Sequence, residues 1–432
     1  MRPLRAMIVL LLLILAACSG QTAPTAPSGE LAARPTVAPQ PTDAPVVDPP
    51  TEAPASEPPT ATQGVPAASE EPTAEPASEP PTEAPAPSGA VLPAPLYFLA
   101  PVGETNQIFR LASDGATQAQ ITDEAGGVTD YDVSPADGGL AYVSANDLIV
   151  ADRDGGGRTV LVDGPAVDPN DVNAAHANGV SSPRWSPDGE RIAYGMGGVN
   201  VIRAVGGAPG VIQANEIQTD PNMASLYKFR IVRYPVSWSP DGAKLLTTFG
   251  YVPEGGGYTV VDFASTSAIT LTYDDGHLCC NPTWSLSGAT IYFASSIMGM
   301  TSAGMWEADT ATGAVTRRFG TADGAAPWSL ISTPLPVGND AFLAFYQETA
   351  DESVALDYSQ QQLVMTQINA DGTTAPLRSD GGNVGEVLWA PDGSGAVVVE
   401  FGGQPSALIW LPSDGGPLVD LQSFGTRLRW GR

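Results

Sequence analysis

The sequence predicts an all-β fold, a β-propeller of about seven four-stranded blades. The first observation is a recurring hairpin. Pro183-Arg184-Trp185-Ser186-Pro187-Asp188-Gly189-Glu190-Arg191-Ile192-Ala193-Tyr194 reads as strand, tight turn and strand, and it returns at Val236–Leu246 and Val387–Gly393. Weaker copies stand at Pro282–Phe293 and Asp132–Val143. The second observation is the spacing. A Trp or apolar residue holds a constant place at Val133, Trp185, Trp238, Trp284, Ile331, Trp389 and Trp430, which is 297 residues over six intervals. That gives about 50 residues per repeat, the range of propeller repeats. The third is what surrounds the hairpins: short β-rich runs with regular turn signals and no long helical periodicity.

The chain opens on a processing signal. Arg2 and Arg5 precede an apolar run, Met7–Leu15, that ends in Leu15-Ala16-Ala17-Cys18. The run is shorter than the roughly 20 residues of a bilayer span. It looks like the lipobox of bacterial lipoproteins, with residues 1–18 as a signal peptide ending at the lipid-bearing Cys18. An ordinary cleaved signal with an incidental Cys is the alternative. The lipobox resemblance implies a diacyl or triacyl Cys18, and more than one acyl chain is what stable anchoring takes. It also places the chain outside the cytoplasm, on the cell membrane or the outer membrane.

Residues 19–94 are rich in Pro, Ala, Thr, Ser and Glu, with no aromatic residue and no Lys. Such a segment buries too little apolar surface to offset its ordering entropy, so a disordered tether is expected. The propeller domain is expected over residues 95–432. With A as the Trp strand, Leu96–Leu99 reads as strand B, Ile108–Leu111 as C and Ala119–Thr122 as D of a blade that lacks its own A. Arg427–Trp430, at the far end of the chain, reads as an A strand with nothing after it. Pairing the two closes the ring and leaves only short, protected edges. Six or eight blades are the neighbouring counts.

The Trp-Ser-Pro-Asp-Gly hairpins resemble the WD-like repeats of the TolB family, and related repeats occur in dipeptidyl-peptidase-type propellers. The resemblance covers most of residues 95–432 and implies a fold rather than an activity. TolB itself is periplasmic and six-bladed, carries a small N-terminal α/β domain and binds an outer-membrane lipoprotein. This chain departs from it in the lipobox, the linker and the expected extra blade.

In the motif, Asp-Gly suits a turn that needs positive φ. Ser-Pro before it ends strand pairing, and the Trp is large enough to fill the gap between blades. Catalytic signatures are few. The two histidines, His176 and His277, stand roughly 100 residues apart, which excludes a multi-histidine metal site. No Gly-x-Ser-x-Gly elbow and no phosphate loop occurs. A carboxylate pair stays open, because propeller loops bring distant residues together. The adjacent Cys279 and Cys280 are read as a vicinal disulfide in an oxidising compartment, with two free thiols as the alternative. Residues 95–432 hold 16 basic and 37 acidic residues, a balance of −21. That argues against nucleic acid and anionic lipid surfaces as partners.

Four insertions fall on one face, since D-to-A and B-to-C connections emerge opposite the Asp-Gly hairpins. The first holds Asp168, Asn170, Asp171 and His176, with Asp168, Asn170 and Asp171 as candidate Ca²⁺ ligands whose spacing does not follow the EF-hand loop. The second holds Tyr227, Lys228, Phe229 and Arg230. The third holds Asp274, His277 and the cysteine pair, and the fourth follows Phe345. Tyr227, Lys228, Phe229, Arg230, Asp274 and His277 are the candidate binding residues, because aromatics and Arg are common at interface centres and function gathers in such loops. The expected function is therefore a monomeric, non-enzymatic binding or scaffold module, without cofactor, for an envelope protein or cell-wall glycan. The membrane enters through the lipid anchor only. The competing expectation is an enzyme acting on a carbohydrate or lactone in the central pocket.

Overall fold

The computed structural model describes residues 89–168, 170–272, 278, 280–299, 302–320, 325–400 and 407–432. These residues belong to one compact unit. Cys18 and the linker up to residue 88 lie outside the described residues. No helix among the described residues is long and apolar enough to cross a membrane.

Among the described residues, seven antiparallel sheets follow one another along the chain, each containing four strands in the order A-B-C-D, with a short fifth strand in blade 4. Blade 1 is closed as expected: Thr426–Trp430 supplies its A strand beside Leu96–Val102, Thr105–Leu111 and Gln118–Gln120. Trp430 pairs with Leu96 and Arg429 with Tyr97. Blade 2 runs from Asp130–Val133 to Thr159–Val162 and blade 3 from Ser181–Trp185 to Gly210–Ala214. Blade 4 runs from Phe229–Trp238 to Ser267–Thr270, blade 5 from Thr283–Trp284 to Val315–Phe319, blade 6 from Trp328–Gly338 to Thr374–Gly382, and blade 7 from Val384–Trp389 to Val419–Phe424. The A strands of blades 7, 1, 2, 3 and 4 touch in turn, as do those of blades 5 and 6, so the A strands form the inner ring.

The core is divided among the seams between blades. Seven apolar clusters fill seven seams, each drawing on two adjacent blades. Both faces of a blade are thus covered, which is why Leu140-Ala141-Tyr142-Val143 is buried at every position. Successive residues serve opposite seams: Leu96 and Phe98 pack toward blade 7, Tyr97 and Leu99 toward blade 2. Packing begins before residue 95. Leu92 is 2% exposed, and the N–H groups of Val91 and Leu92 both donate to the Ser113 carbonyl. A short apolar pair inside a Pro-rich stretch carries no period that would mark it.

The hairpin tryptophans seal the seams and also donate across them. Trp238 Nε1 donates to the Arg184 carbonyl, Trp284 Nε1 to Ser237 Oγ, Trp389 Nε1 to the Thr333 carbonyl and Trp430 Nε1 to the Trp389 carbonyl. Every acceptor lies on the A strand of the preceding blade, so one residue type supplies apolar fill and a fixed inter-blade distance.

Ile331 lies in the A strand of blade 6 but not at the Trp position. Trp185, Trp238, Trp284 and Trp389 pair with Ile192, Leu245, Ile291 and Ala396, the second residue of each B strand. In blade 6 that place belongs to Pro336, opposite Phe342. The strand is longer and irregular, with register shifts between Ser332 and Leu335 and between Pro336 and Gly338, and its turn lacks the Ser-Pro-Asp-Gly sequence.

The turn chemistry is the one the motif demands. Gly189, Gly242 and Gly393 have φ of +70°, +67° and +73°, where a Cβ is strained. Asp188 accepts from Ser186 Oγ and the Glu190 N–H, and Asp241 from Ser239 Oγ and the Ala243 N–H. These bonds, the serine hydroxyl first, hold both carboxyls below their usual value. A depressed folded value means that the stability they contribute is present above the unfolded aspartate value of about 3.9 and is lost as pH falls through the folded value. Thermal unfolding followed against pH is expected to show little carboxylate-linked change from pH 7 to pH 5 and a decline below about pH 4. Asp188→Asn with Asp241→Asn should flatten that decline.

Candidate functional site

Two regions concentrate side chains with functional potential: the insertion face over blades 3 and 4, and the central channel.

On the insertion face, the segment before Trp185 folds into a short helix, Val172–Asn178. Asp171 caps it by accepting from the Ala174 N–H. Asn146, in the B-to-C turn of blade 2, holds the segment at both ends. Its Nδ2 donates to the Pro165 and Asn178 carbonyls and its Oδ1 accepts from the Val180 N–H. The segment before Trp238 contains a helical turn, Pro221–Ala224, and a two-residue strand, Glu216–Ile217, that adds to the A side of blade 4. The two insertions are tied together. Asn173 Oδ1 accepts from the Lys228 N–H at 2.6 Å and its Nδ2 donates to the Leu226 carbonyl at 3.5 Å. Asn215 Nδ2 donates to the His176 carbonyl while its Oδ1 accepts from the Arg233 N–H.

The expected binding residues divide in this frame. Tyr227 is half-buried, and Lys228 and Arg230 are exposed. Phe229 is turned inward at 5% exposure. It opens the A strand of blade 4, alternates with the buried Ile231, and meets His176 edge-on with ring centroids 6.4 Å apart. It supports the face from beneath and offers no contact surface. Burial lowers the His176 pKa. Glu216 is forked between two guanidiniums, Oε2 to Arg230 at 2.6 Å and Oε1 to Arg233 at 2.7 Å. Arg230 first and then Arg233 hold its carboxyl below the usual value. Leu226 is 65% exposed, and Ile217, Tyr251 and Val172 are also exposed apolar residues of these loops.

Asp168 accepts from the Asn170 N–H and Nδ2, and Asp171 serves the helix cap, so both carboxylates have local partners. No group of three or more His, Cys, Asp and Glu able to hold a metal occurs among the described residues. Asp274, His277 and Cys279 lie outside the described residues. Cys280 is disulfide-bonded, and its backbone pairs with Ala294. The fourth insertion holds the helix Glu352–Leu356 and reaches blade 5, where Gln361 Nε2 donates to the Ser296 carbonyl and the Met298 N–H donates to the Ala355 carbonyl.

The channel carries a charged network that the sequence reading did not single out. Arg429 Nε meets Asp132 Oδ1 at 3.0 Å, Arg427 Nη1 meets Asp130 Oδ1 at 2.8 Å, and Arg184 Nη1 stands 3.9 Å from Asp130 Oδ2. Asp132 Oδ2 accepts from the Trp185 N–H, and the two oxygens of Glu386 accept from the Arg427 and Leu428 N–H groups. The three carboxylates of this network are therefore all engaged in holding strands. The signal was visible: Arg184 and Arg429 both precede a hairpin Trp, and Asp130 and Asp132 alternate on the A strand between them.

No family model matches the chain, and no curated protein matches it. Solved structures do. A puromycin hydrolase aligns with a TM-score of 0.52 at 14% identity, over 78% of this chain and 53% of its own, so this chain spans about half of that protein. TolB from Acinetobacter baumannii aligns with a TM-score of 0.39 at 16% identity, over 74% of this chain and 77% of its own. Dipeptidyl peptidase 4 from Porphyromonas gingivalis aligns with a TM-score of 0.47 at 11% identity, over 75% and 50%. At these identities the likeness is one of fold. The chain is a seven-bladed β-propeller, and no activity carries over with that shape.

Proposed function

We propose that this chain is an exported, lipid-anchored binding module whose insertion face docks a protein or cell-wall glycan at the cell envelope. The observation that carries this reading is the build of the face over blades 3 and 4. Its loops spend their asparagine side chains on each other's backbone, through Asn173 and Asn215, and leave Leu226, Lys228 and Arg230 turned outward. Exposed apolar side chains mark an interaction surface where they form a contiguous patch, and Val172 and Ile217 are exposed in the same loops as Leu226. A pre-ordered face also spares a partner the entropy of loop ordering. A non-enzymatic role agrees with the channel, where Asp130, Asp132 and Glu386 are committed to ion pairs and backbone N–H groups. Cys18 supplies the anchor and the Pro-rich linker the reach.

Photo-crosslinking in the native host tests the reading, with the reactive group at Tyr227 and a control at Asp241 in the opposite-face hairpin. A discrete adduct from Tyr227 alone is expected. Adducts from both positions, or from neither, would remove this face as a protein-docking site and leave glycan as the partner class to test.

A further inference from the structure

We propose that the hairpin-side mouth of the central channel is an oxyanion site, a cup that takes a carboxylate or phosphate group between Arg184 and Arg429. The cup has a volume of about 340 Å³ and lies where the A strands of blades 1 to 4 converge, with Asp132, Arg184, Trp185, Pro187, Trp238 and Arg429 in its wall.

Donor accounting gives the site its chemistry. Arg184 spends Nε on the Val236 carbonyl and Nη1 on the Pro183 carbonyl. Arg429 spends Nε on Asp132 and Nη1 on the Leu428 carbonyl. Each guanidinium has five N–H groups in a fixed fork, so each keeps its Nη2 donors for a ligand. Asp132, the carboxylate in the wall, has one oxygen bonded to Arg429 and the other to the Trp185 N–H. Trp185 Nε1 is buried with no partner, unlike Trp238, Trp284, Trp389 and Trp430, which donate across their seams.

The charge count agrees. Across the whole network Arg184, Arg427 and Arg429 balance Asp130, Asp132 and Glu386. The balance is uneven along the channel: the cup wall holds two guanidiniums against one carboxylate. The side chains of Arg184 and Arg429 keep 19% and 29% of their surface accessible, so an ion from solvent can reach them. Burial first, and then the like charge of Arg429, depresses Arg184, while the carboxylates led by Asp132 raise Arg429. The hairpin aspartates on the same face put negative potential near the mouth, but Asp188 and Asp241 are occupied by their own turns. In a domain of strongly acidic balance, two guanidiniums sharing a walled cup form a place of reversed sign. A planar oxyanion on the two forks gives the charge-assisted geometry that arginine favours.

Calorimetric titration of the full chain with inorganic phosphate, and separately with succinate, at ionic strength matched with chloride, tests this. Saturable one-site binding by either anion is expected, and which one binds names the source of the oxyanion. Trp185 and Trp238 should report it by fluorescence. Arg184→Met should weaken binding at least tenfold. Because Arg184 also holds two carbonyls, Pro135→Asp is the second variant. Pro135 is exposed at the rim of the cup, and a carboxylate there should weaken binding several-fold at an unchanged unfolding temperature. Absence of saturable binding by both anions, or equal affinity in Pro135→Asp and the native chain, overturns the proposal.

Discussion

Ending the chain at Gly425 is expected to remove cooperative unfolding of the propeller. The last strand is short, but it touches three blades. It pairs with Leu96 and Tyr97 of blade 1, takes both oxygens of Glu386 from blade 7 on the Arg427 and Leu428 N–H groups, and binds Asp130 and Asp132 of blade 2 through Arg427 and Arg429. Tyr131 Oη also donates to the Arg427 carbonyl. Leu428 is 1% exposed in the seam between blades 7 and 1, and its loss alone is a deletion of the kind that costs about 2–5 kcal/mol. Two ion pairs and the Trp430 seam go with it. The sum approaches the roughly 5–15 kcal/mol total stability of a folded domain. Removal also exposes the edge of Leu96–Val102, an unpaired strand of the kind that aggregates. Circular dichroism melts of the two chains check this. A truncated chain that melts cooperatively within a few degrees of the full one would show that closure is not what holds the ring.

Trp389→Ala is expected to be the most damaging single substitution in a hairpin motif, at about 3–5 kcal/mol. Trp389 packs in the seam between blades 6 and 7 with Leu330, Phe345 and Met365, its ring 5.4 Å from that of Phe345. It is also a relay: Nε1 donates to the Thr333 carbonyl at 2.6 Å, while its own carbonyl accepts from Trp430 Nε1 at 2.6 Å. Trp389→Phe keeps most of the fill and strands the Thr333 carbonyl, so about 1–2 kcal/mol is expected. Denaturant midpoints for both variants, with the slope unchanged, separate fill from hydrogen bonding. Equal losses in the two would show that the indole N–H, and not the fill, carries the effect.

What could be read from the sequence follows from how local each feature is. The Trp-Ser-Pro-Asp-Gly hairpins are local, since Asp188 and Asp241 bond within their own turns, so hairpins, repeat spacing and ring closure were legible. Blade 6 was legible as a blade but not in register, because Pro336 takes the Trp position in a strand with two irregularities. The start of the A strand of blade 4 was hidden. Phe229 and Ile231 are buried alternately, yet they follow a polar loop whose sequence carries no strand signal. The asparagine ties were not legible at all. Asn146 acts 32 residues away on Asn178 and Asn173 acts 55 residues away on Lys228, and an asparagine in a loop carries no pattern that names a distant partner. The same holds for Arg429 and Asp132, 297 residues apart, which only ring closure brings together.

The Tyr227 crosslink in a chain carrying Leu226→Asp and Arg230→Ala shows whether the loops of blades 3 and 4 are a docking face. Leu226 and Arg230 are exposed and lie outside every seam, so the variant should fold and melt as the native chain does. The adduct formed by the native chain should fall at least tenfold in the double variant. An adduct of undiminished yield from a fully folded double variant would contradict it.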